Sequence, residues 1–446
     1  MTSPSSRPPA PPPPAHDFAE PPTRARYVTV AFCIALAIIT YIDRVCISQA
    51  APSIQRDLGL TKIEMSWAFW IFGVAYALFE VPGGWLGDRM GPRRVLMRIV
   101  IWWSFFTAAT GWAWSFVSLL VTRTLFGAGE AGAFPNMTRV FTVWLPTRER
   151  ERAQAILWFA SRWGGALTPL LVAYILQYVS WRRAFELFGI LGAAWAVAFY
   201  LWYRDDPSTH PRVNRAELAM LPPPSETARV HGGMPWGLLL TSRQVWLLCA
   251  QYACLAYGWW FYVTWLPSYL SEVRGTGIKL GALLAGLPLF LGGFGCLLSA
   301  AIIPRLARLA GGVATARRIV AIFGFVGASA SIFVFTRVHD PVQAMIILGF
   351  AGFFNDFVMP AAWAGTMDVG GRYAGTVSGA MNMFGSLAGA MSPLVVGYLL
   401  KWTNQDWTMT FYVSAAVYSL GAVCWLFLDA HTPLDHARPI LQRGVS

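Results

Sequence analysis

Along most of the chain the apolar residues do not alternate with polar ones. They run on for roughly 20 positions at a time, the length that carries an α-helix across the hydrocarbon layer of a bilayer. These runs predict helices over residues 27–49, 63–86, 95–113, 117–141, 153–177 and 183–204, then over 243–270, 280–303, 317–336, 342–366, 373–400 and 407–428. The pattern is that of an all-α polytopic membrane protein with twelve transmembrane helices in two six-helix bundles. Residues 205–242 hold Pro222-Pro223-Pro224, several Arg and no apolar run, and read as a linker. The expected organisation is a tail over 1–26, bundles over 27–204 and 243–430 joined by the linker 205–242, and a second tail over 431–446. The first tail is rich in Pro and Ser, including Pro11 to Pro14, and cannot bury enough apolar surface to fold. The first apolar run starts late, is long and carries Asp43 and Arg44 near its end, unlike a cleaved signal peptide.

The two halves also repeat. Gly165-Ala166-Leu167-Thr168-Pro169-Leu170-Leu171-Val172-Ala173-Tyr174 matches Gly389-Ala390-Met391-Ser392-Pro393-Leu394-Val395-Val396-Gly397-Tyr398, so the fifth and eleventh helices correspond. A second echo aligns Pro135 with Pro360 and sets Glu130 opposite Asn355. Duplicated six-helix halves are the architecture of a carrier whose site lies between the repeats.

Composition narrows the function. Of 446 residues, 56% are hydrophobic and 13% charged, against about 25% charged in a soluble domain. The net charge of +12 is spread in short clusters between spans, not gathered into a nucleic-acid-binding face. About two thirds of the 34 Lys and Arg fall on the side that holds both termini, which the positive-inside rule makes cytoplasmic. A bacterial inner membrane is the expected location. The six Cys form no CxxC pair and lie in apolar runs, so neither disulfides nor a metal site is expected. No cofactor is implied. None of the six His falls in a predicted span, and no Gly-rich phosphate loop or catalytic constellation is present, which argues against an enzyme. A sensor would need a soluble signalling domain, for which the linker and tails are too short and too polar.

The segment Gly84-Trp85-Leu86-Gly87-Asp88-Arg89-Met90-Gly91-Pro92-Arg93-Arg94 fits G-x-x-x-D-[RK]-x-G-x-[RK]-[RK]. Here the chain resembles the major facilitator superfamily, whose loop signature follows the second helix. The resemblance implies that Gly84, Asp88, Arg89, Gly91, Arg93 and Arg94 gate the carrier, with the Asp meeting the other half and holding the outward-facing state. The matching stretch of the second half has Pro304-Arg305 where an acid is expected, so a degraded second gate is anticipated.

Ionisable groups inside a bilayer cost about 2.5–3.5 kcal/mol each and mark function. The predicted spans contain Asp43, Arg44, Glu80, Arg123, Glu130, Arg162 and Asp356. Arg123 and Glu130 lie on one face of a helix, and Arg44 shares a face with Tyr41 while Asp43 turns about 100° away. Two Arg suit an anionic substrate, since a guanidinium holds a carboxylate by two parallel hydrogen bonds. Carboxylates near such an Arg can take up and release a proton. Glu80, before Pro82-Gly83-Gly84, reads as a gate or packing residue. Ser378, Asn382 and Ser386 recur every four residues as a polar stripe, and Trp363 lies on the face of Asp356.

Tyr41-Ile42-Asp43-Arg44, Arg123 with Gly127-Ala128-Gly129-Glu130, Tyr76 ahead of Pro82-Gly83-Gly84, and Ser378-Gly379-Ala380-Met381-Asn382-Met383-Phe384-Gly385 resemble the anion:cation symporter family. Its members include bacterial galactonate, glucarate and hexuronate carriers and sialin-like carriers. The resemblance implies proton coupling through Asp43 and Glu130, with Arg44 and Arg123 engaging Glu130 and a substrate carboxylate. It also implies that Tyr41, Tyr76 and Asn382 bond sugar hydroxyls. Ser378 and Trp363 complete the expected substrate site, with Arg162 and Asp356 as departures from the family pattern held in a supporting shell. The expectation is a monomeric, proton-coupled symporter of a small organic anion, most simply a sugar acid such as a hexonate, hexarate or hexuronate. The alternative is a carrier of an aromatic or other monocarboxylate, or of phosphate.

Overall fold

The computed structural model describes residues 20–223, 236–264 and 286–430, with residues 266, 269, 273, 433 and 434. The expected tails over 1–26 and 431–446 therefore lie largely outside the described residues. Among those described, the first half consists of α1 (Ala25–Leu58), α2 (Lys62–Met90), α3 (Pro92–Gly111), α4 (Phe116–Glu130), α5 (Ala133–Trp144), α6 (Thr147–Leu176) and α7 (Trp181–Trp202). A short α8 (Arg215–Leu218) follows, then α9 (Trp236–Thr241), α10 (Arg243–Thr264), α11 (Leu287–Leu309), α12 (Val313–Phe335), α13 (Pro341–Gly370), α14 (Ala374–Trp402) and α15 (Trp407–Phe427). Counting α4 and α5 as one crossing, the helices make twelve membrane spans in two six-span halves. The end of the seventh predicted span, 265–270, falls mostly outside the described residues.

Three local features depart from the apolar pattern. The first helix runs past the predicted end, through Pro52, until Gly59 adopts a left-handed conformation with φ 67°. The fourth span is broken after Glu130 instead of continuing to 141. The cause is Pro135, whose missing N–H cannot bond the carbonyl four residues back. Asn136 repairs the break by donating from Nδ2 to the carbonyls of Gly132 at 2.7 Å and Gly83 at 2.9 Å. Finally, the hydrophilic linker is built, not loose, over residues 205–221. Asn214 caps α8, and the buried Glu217 accepts hydrogen bonds from Thr23 Oγ1, the Ala25 and Arg26 amides and Arg26 Nη1. The linker thereby ties down the start of α1 and defines one face of the bundle, called the linker face below.

The two halves meet along a seam that is closed from mid-membrane to the linker face. Helix α2 packs on α14 so closely that a Cβ on Gly84 would overlap the Gly375 carbonyl oxygen. Further along, α6 packs on α11 through Trp163 and Phe290, whose rings lie 5.1 Å apart. An aromatic layer spans the seam, with Phe134 stacked on Trp158 at 5.0 Å and Trp363 5.3 Å from Trp158.

Candidate functional site

Four ionisable side chains from α1 and α4 converge in the first half. Arg44 donates from Nε to Glu130 Oε1 at 2.8 Å. Its guanidinium carbon lies 4.5 Å from the Tyr76 ring centroid, 6.0 Å from that of Tyr41 and 5.9 Å from that of Phe134. Arg123 sits about two helical turns from Glu130 and is wedged between Phe72 and Phe126, 4.8 and 4.5 Å from their centroids. Asp43, Arg123 and Glu130 are buried, whereas the Arg44 side chain keeps 25% of its exposure. Arg44 is thus the group of the four that a solute entering between the halves reaches first. It spends Nε on Glu130, and its Nη2, shielded from solvent, has no hydrogen-bond partner. Neither oxygen of Asp43 nor Glu130 Oε2 makes a hydrogen bond, so the cluster holds acceptor capacity that its own cations do not fill.

The seam supplies the rest of the polar groups. Asn382 donates from Nδ2 to Glu80 and, at 3.4 Å, to the Tyr76 hydroxyl, while Ser386 Oγ donates to Glu80 Oε2 at 3.4 Å. On the opposite wall, Arg162 donates from Nε and Nη2 to the two oxygens of Asp356 at 2.7 and 2.9 Å, joining α6 to α13 across the halves. The Arg162 guanidinium also lies 3.5 Å from the Trp259 ring centroid and 3.5 Å from the Tyr41 hydroxyl.

Closer to the linker face, Asp88 accepts from the amides of Gly375 at 3.0 Å and Thr376 at 2.6 Å, and from Thr376 Oγ1 at 2.6 Å. These donors form the first turn of α14, where the helix dipole favours an anion. Arg139 pairs with the same carboxylate at 3.6 Å and donates to the Gly371 carbonyl at 3.3 Å. A second ion cluster lies beside it. Arg317 bonds Glu151 and Asp368, and Arg150 bonds Asp368 at 2.5 Å, so α6, α12 and α13 are tied together across the seam.

Several expectations need correction. Ser378 does not present its hydroxyl to a substrate, since Oγ donates back to the Gly375 carbonyl of its own helix at 3.1 Å. Trp363 is 1% exposed within the aromatic layer, where Nε1 donates to the Tyr252 hydroxyl at 3.3 Å, so it has no face free for stacking. Asn382 is spent on Glu80 before any sugar hydroxyl arrives. In the loop signature Gly84 and Asp88 reach the other half. Arg89 lies over Trp85 of its own helix, and Arg93 donates to the Tyr200 carbonyl. Gly91 turns the chain at φ 87° beside Asp205, and Arg94 is exposed. In the matching stretch of the second half Arg305 bonds its own helix, and the cross-half charges beside Asp88 lie in the cluster of Arg150, Glu151, Arg317 and Asp368. This cluster had no signal in the apolar pattern, because its residues sit near helix ends where charge is ordinary, whereas Arg139 falls inside the predicted span 117–141 and within α5. Arg162 and Asp356, the two departures, are brought together directly.

The family model of the Major Facilitator Superfamily matches residues 33–393 and 317–444. A probable sulfoacetate transporter, SauU, of Cupriavidus necator is 36% identical over 420 residues, covering 92% of this chain and 96% of the relative. A D-galactonate transporter of Escherichia coli is 30% identical, covering 91% and 96%. A probable galactarate/D-glucarate transporter, GudP, of Bacillus subtilis is 30% identical, covering 86% and 87%. Among solved structures, the proton:xylose symporter XylE superposes with a TM-score of 0.75 at 12% identity, covering 93% of this chain and 99% of that one. A match over most of the length, by family model and by full-length relatives alike, places the chain: it belongs to the major facilitator superfamily and is a membrane transporter, not an enzyme.

Proposed function

We propose that the protein carries a small organic anion together with protons by alternating access of its two halves. The observation that carries this reading is the half-used guanidinium of Arg44, partly open to the seam and backed by the buried Glu130, Asp43 and Arg123. A substrate carboxylate accepts from the free side of Arg44, and Glu130, relieved of part of its cation, holds or releases a proton accordingly. Asp43 serves as a second proton carrier next to Arg123. Tyr41 and Tyr76 flank Arg44 and position the substrate. The relatives named for sulfoacetate, galactonate and galactarate or glucarate support an organic anion as cargo. A sugar acid remains the leading substrate. A shorter anion is the second reading, favoured by the engagement of Asn382 and Ser378 within the protein, which leaves fewer groups for a polyol.

In this reading the linker face is cytoplasmic, both termini lie inside a bacterial inner membrane, and the closed seam makes the structure outward-facing. Gly84, Asp88 and Arg139 form the cytoplasmic gate. The test is uptake by proteoliposomes under an imposed pH gradient, using sugar acids, sulfoacetate and benzoate. Uptake of an organic anion that is driven by external acid supports the reading. Anion uptake indifferent to the gradient would refute proton coupling, and preference for benzoate would refute the sugar acid.

A further inference from the structure

Arg162 and Asp356 have no part in the proton and carboxylate chemistry just described, yet they form the best-oriented ion pair at mid-membrane. The pair is bidentate, fully buried and made between the halves, at 2.7 and 2.9 Å. Replacing such a pair by apolar residues is often stabilising, so its stability contribution does not explain it. The cation is held in place independently of the acid, by the Trp259 ring beneath it at 3.5 Å and the Tyr41 hydroxyl at 3.5 Å. The acid is likewise held independently of the cation. Asn355 Nδ2 donates to Asp356 Oδ1 at 2.9 Å, and Tyr418 fixes Asn355 by donating from its hydroxyl to Asn355 Oδ1 at 2.9 Å. Each partner therefore keeps its place when the other is withdrawn.

Tyr41 also links this pair to the substrate site. Arg44 lies 6.0 Å from its ring centroid, and Arg162 lies 3.5 Å from its hydroxyl. By way of Tyr41 the two guanidinium groups are no more than about 12 Å apart, within reach of a short aliphatic chain bearing an acidic group at each end, each accepting ~2.8 Å hydrogen bonds.

We propose that Arg162 and Asp356 form a second anion subsite, in which the distal acidic group of a dianionic substrate takes the place of the Asp356 carboxylate on Arg162. The substrate class is a dicarboxylate or sulfo-carboxylate with a short carbon chain. Binding then replaces one tie between the halves by a contact to the cargo, so that occupancy and loosening of the seam coincide. This inference rests on the proposed function, because it presumes an organic anion on Arg44.

The test is equilibrium binding to the purified full-length protein of two matched pairs: galactarate against galactonate, and sulfoacetate against acetate. The wild type is expected to prefer the dianion in at least one pair. Arg162→Gln should weaken that dianion about tenfold or more and leave its monoanion partner within roughly twofold, as loss of one bidentate contact requires. Asp356→Asn should have the opposite effect, tightening the dianion severalfold by removing the competing carboxylate while leaving the monoanion unchanged. A misfolded variant loses both ligands and cannot reproduce this opposition. If Arg162→Gln does not fold, Asp356→Asn alone decides: tighter dianion binding supports the subsite, weaker binding overturns it. A wild type that prefers monoanions in both pairs, or variants that weaken both members equally, overturns the subsite and leaves the proposed function standing. A wild type that binds none of the four overturns the proposed function and this inference with it.

Discussion

Replacing Asp88 by Asn is the most informative change at the closed seam. The carboxylate accepts three hydrogen bonds of 2.6 to 3.0 Å from the first turn of α14 and faces Arg139 at 3.6 Å. Hydrogen bonds to a charged acceptor are worth about 1.5–3 kcal/mol each, and a partly buried helix-dipole interaction adds up to about 2 kcal/mol. Asn keeps the shape and one acceptor oxygen but turns an NH2 toward the Thr376 donors and removes the negative charge that Arg139 faces at 3.6 Å. A loss of about 3 kcal/mol from the closed state follows, which is a population shift of roughly 150-fold. A protein resting near 99:1 in favour of the closed linker face would come to nearly equal populations. The six native Cys are buried, so Arg94→Cys and Arg308→Cys, both exposed near the linker face and in opposite halves, can carry spin labels selectively. Distance distributions between them should gain a second, longer population in Asp88→Asn. A distribution unchanged from the wild type would refute the assignment of Asp88 as the group that holds this face shut.

Other outcomes follow from the same geometry. Gly84→Val places a branched side chain where the Gly375 carbonyl sits, and should lengthen the same spin-label distance without touching a charge. Arg44→Lys keeps the charge but loses the planar fork, so organic-anion binding measured by equilibrium dialysis should weaken by about tenfold. Glu217→Ala removes the acceptor of four hydrogen bonds and one of the two acids that pair with Arg26, a loss of about 3 kcal/mol for breaking a buried pair. It should lower the thermal unfolding midpoint of the purified protein while substrate affinity stays unchanged.

The architecture was legible because burying a span in lipid demands an unbroken apolar run, and that demand is written residue by residue. The break in the fourth span was not legible as such. Pro135 is tolerated in many membrane helices, and only the packing of Gly83 against Gly132 and the repair by Asn136 show that the helix restarts there. At the site, Arg44 and Glu130 stood out as charges in an apolar setting, and the structure joins them. Glu80 stood out equally, but its partners Asn382 and Ser386 lie in the other half, and no local pattern couples α2 to α14. Glu151, Arg317 and Asp368 were invisible for a different reason. A charge near a helix end is normally solvated, and only the meeting of two halves buries these three. Ser378 illustrates the converse: helical spacing placed it on a polar stripe, while the preference of a buried hydroxyl for its own backbone took it out of the cavity.

The central claim is that organic anion and proton share the cluster of Arg44 and Glu130. The most direct measurement records lumenal pH in proteoliposomes with a trapped dye while organic anion is added outside, for the wild type and Glu130→Gln, with exchange of labelled substrate in both directions confirming that each protein is folded. The account predicts that anion entry acidifies the lumen in the wild type, and that Glu130→Gln still exchanges substrate but acidifies the lumen far less. Equal acidification in both proteins would contradict it.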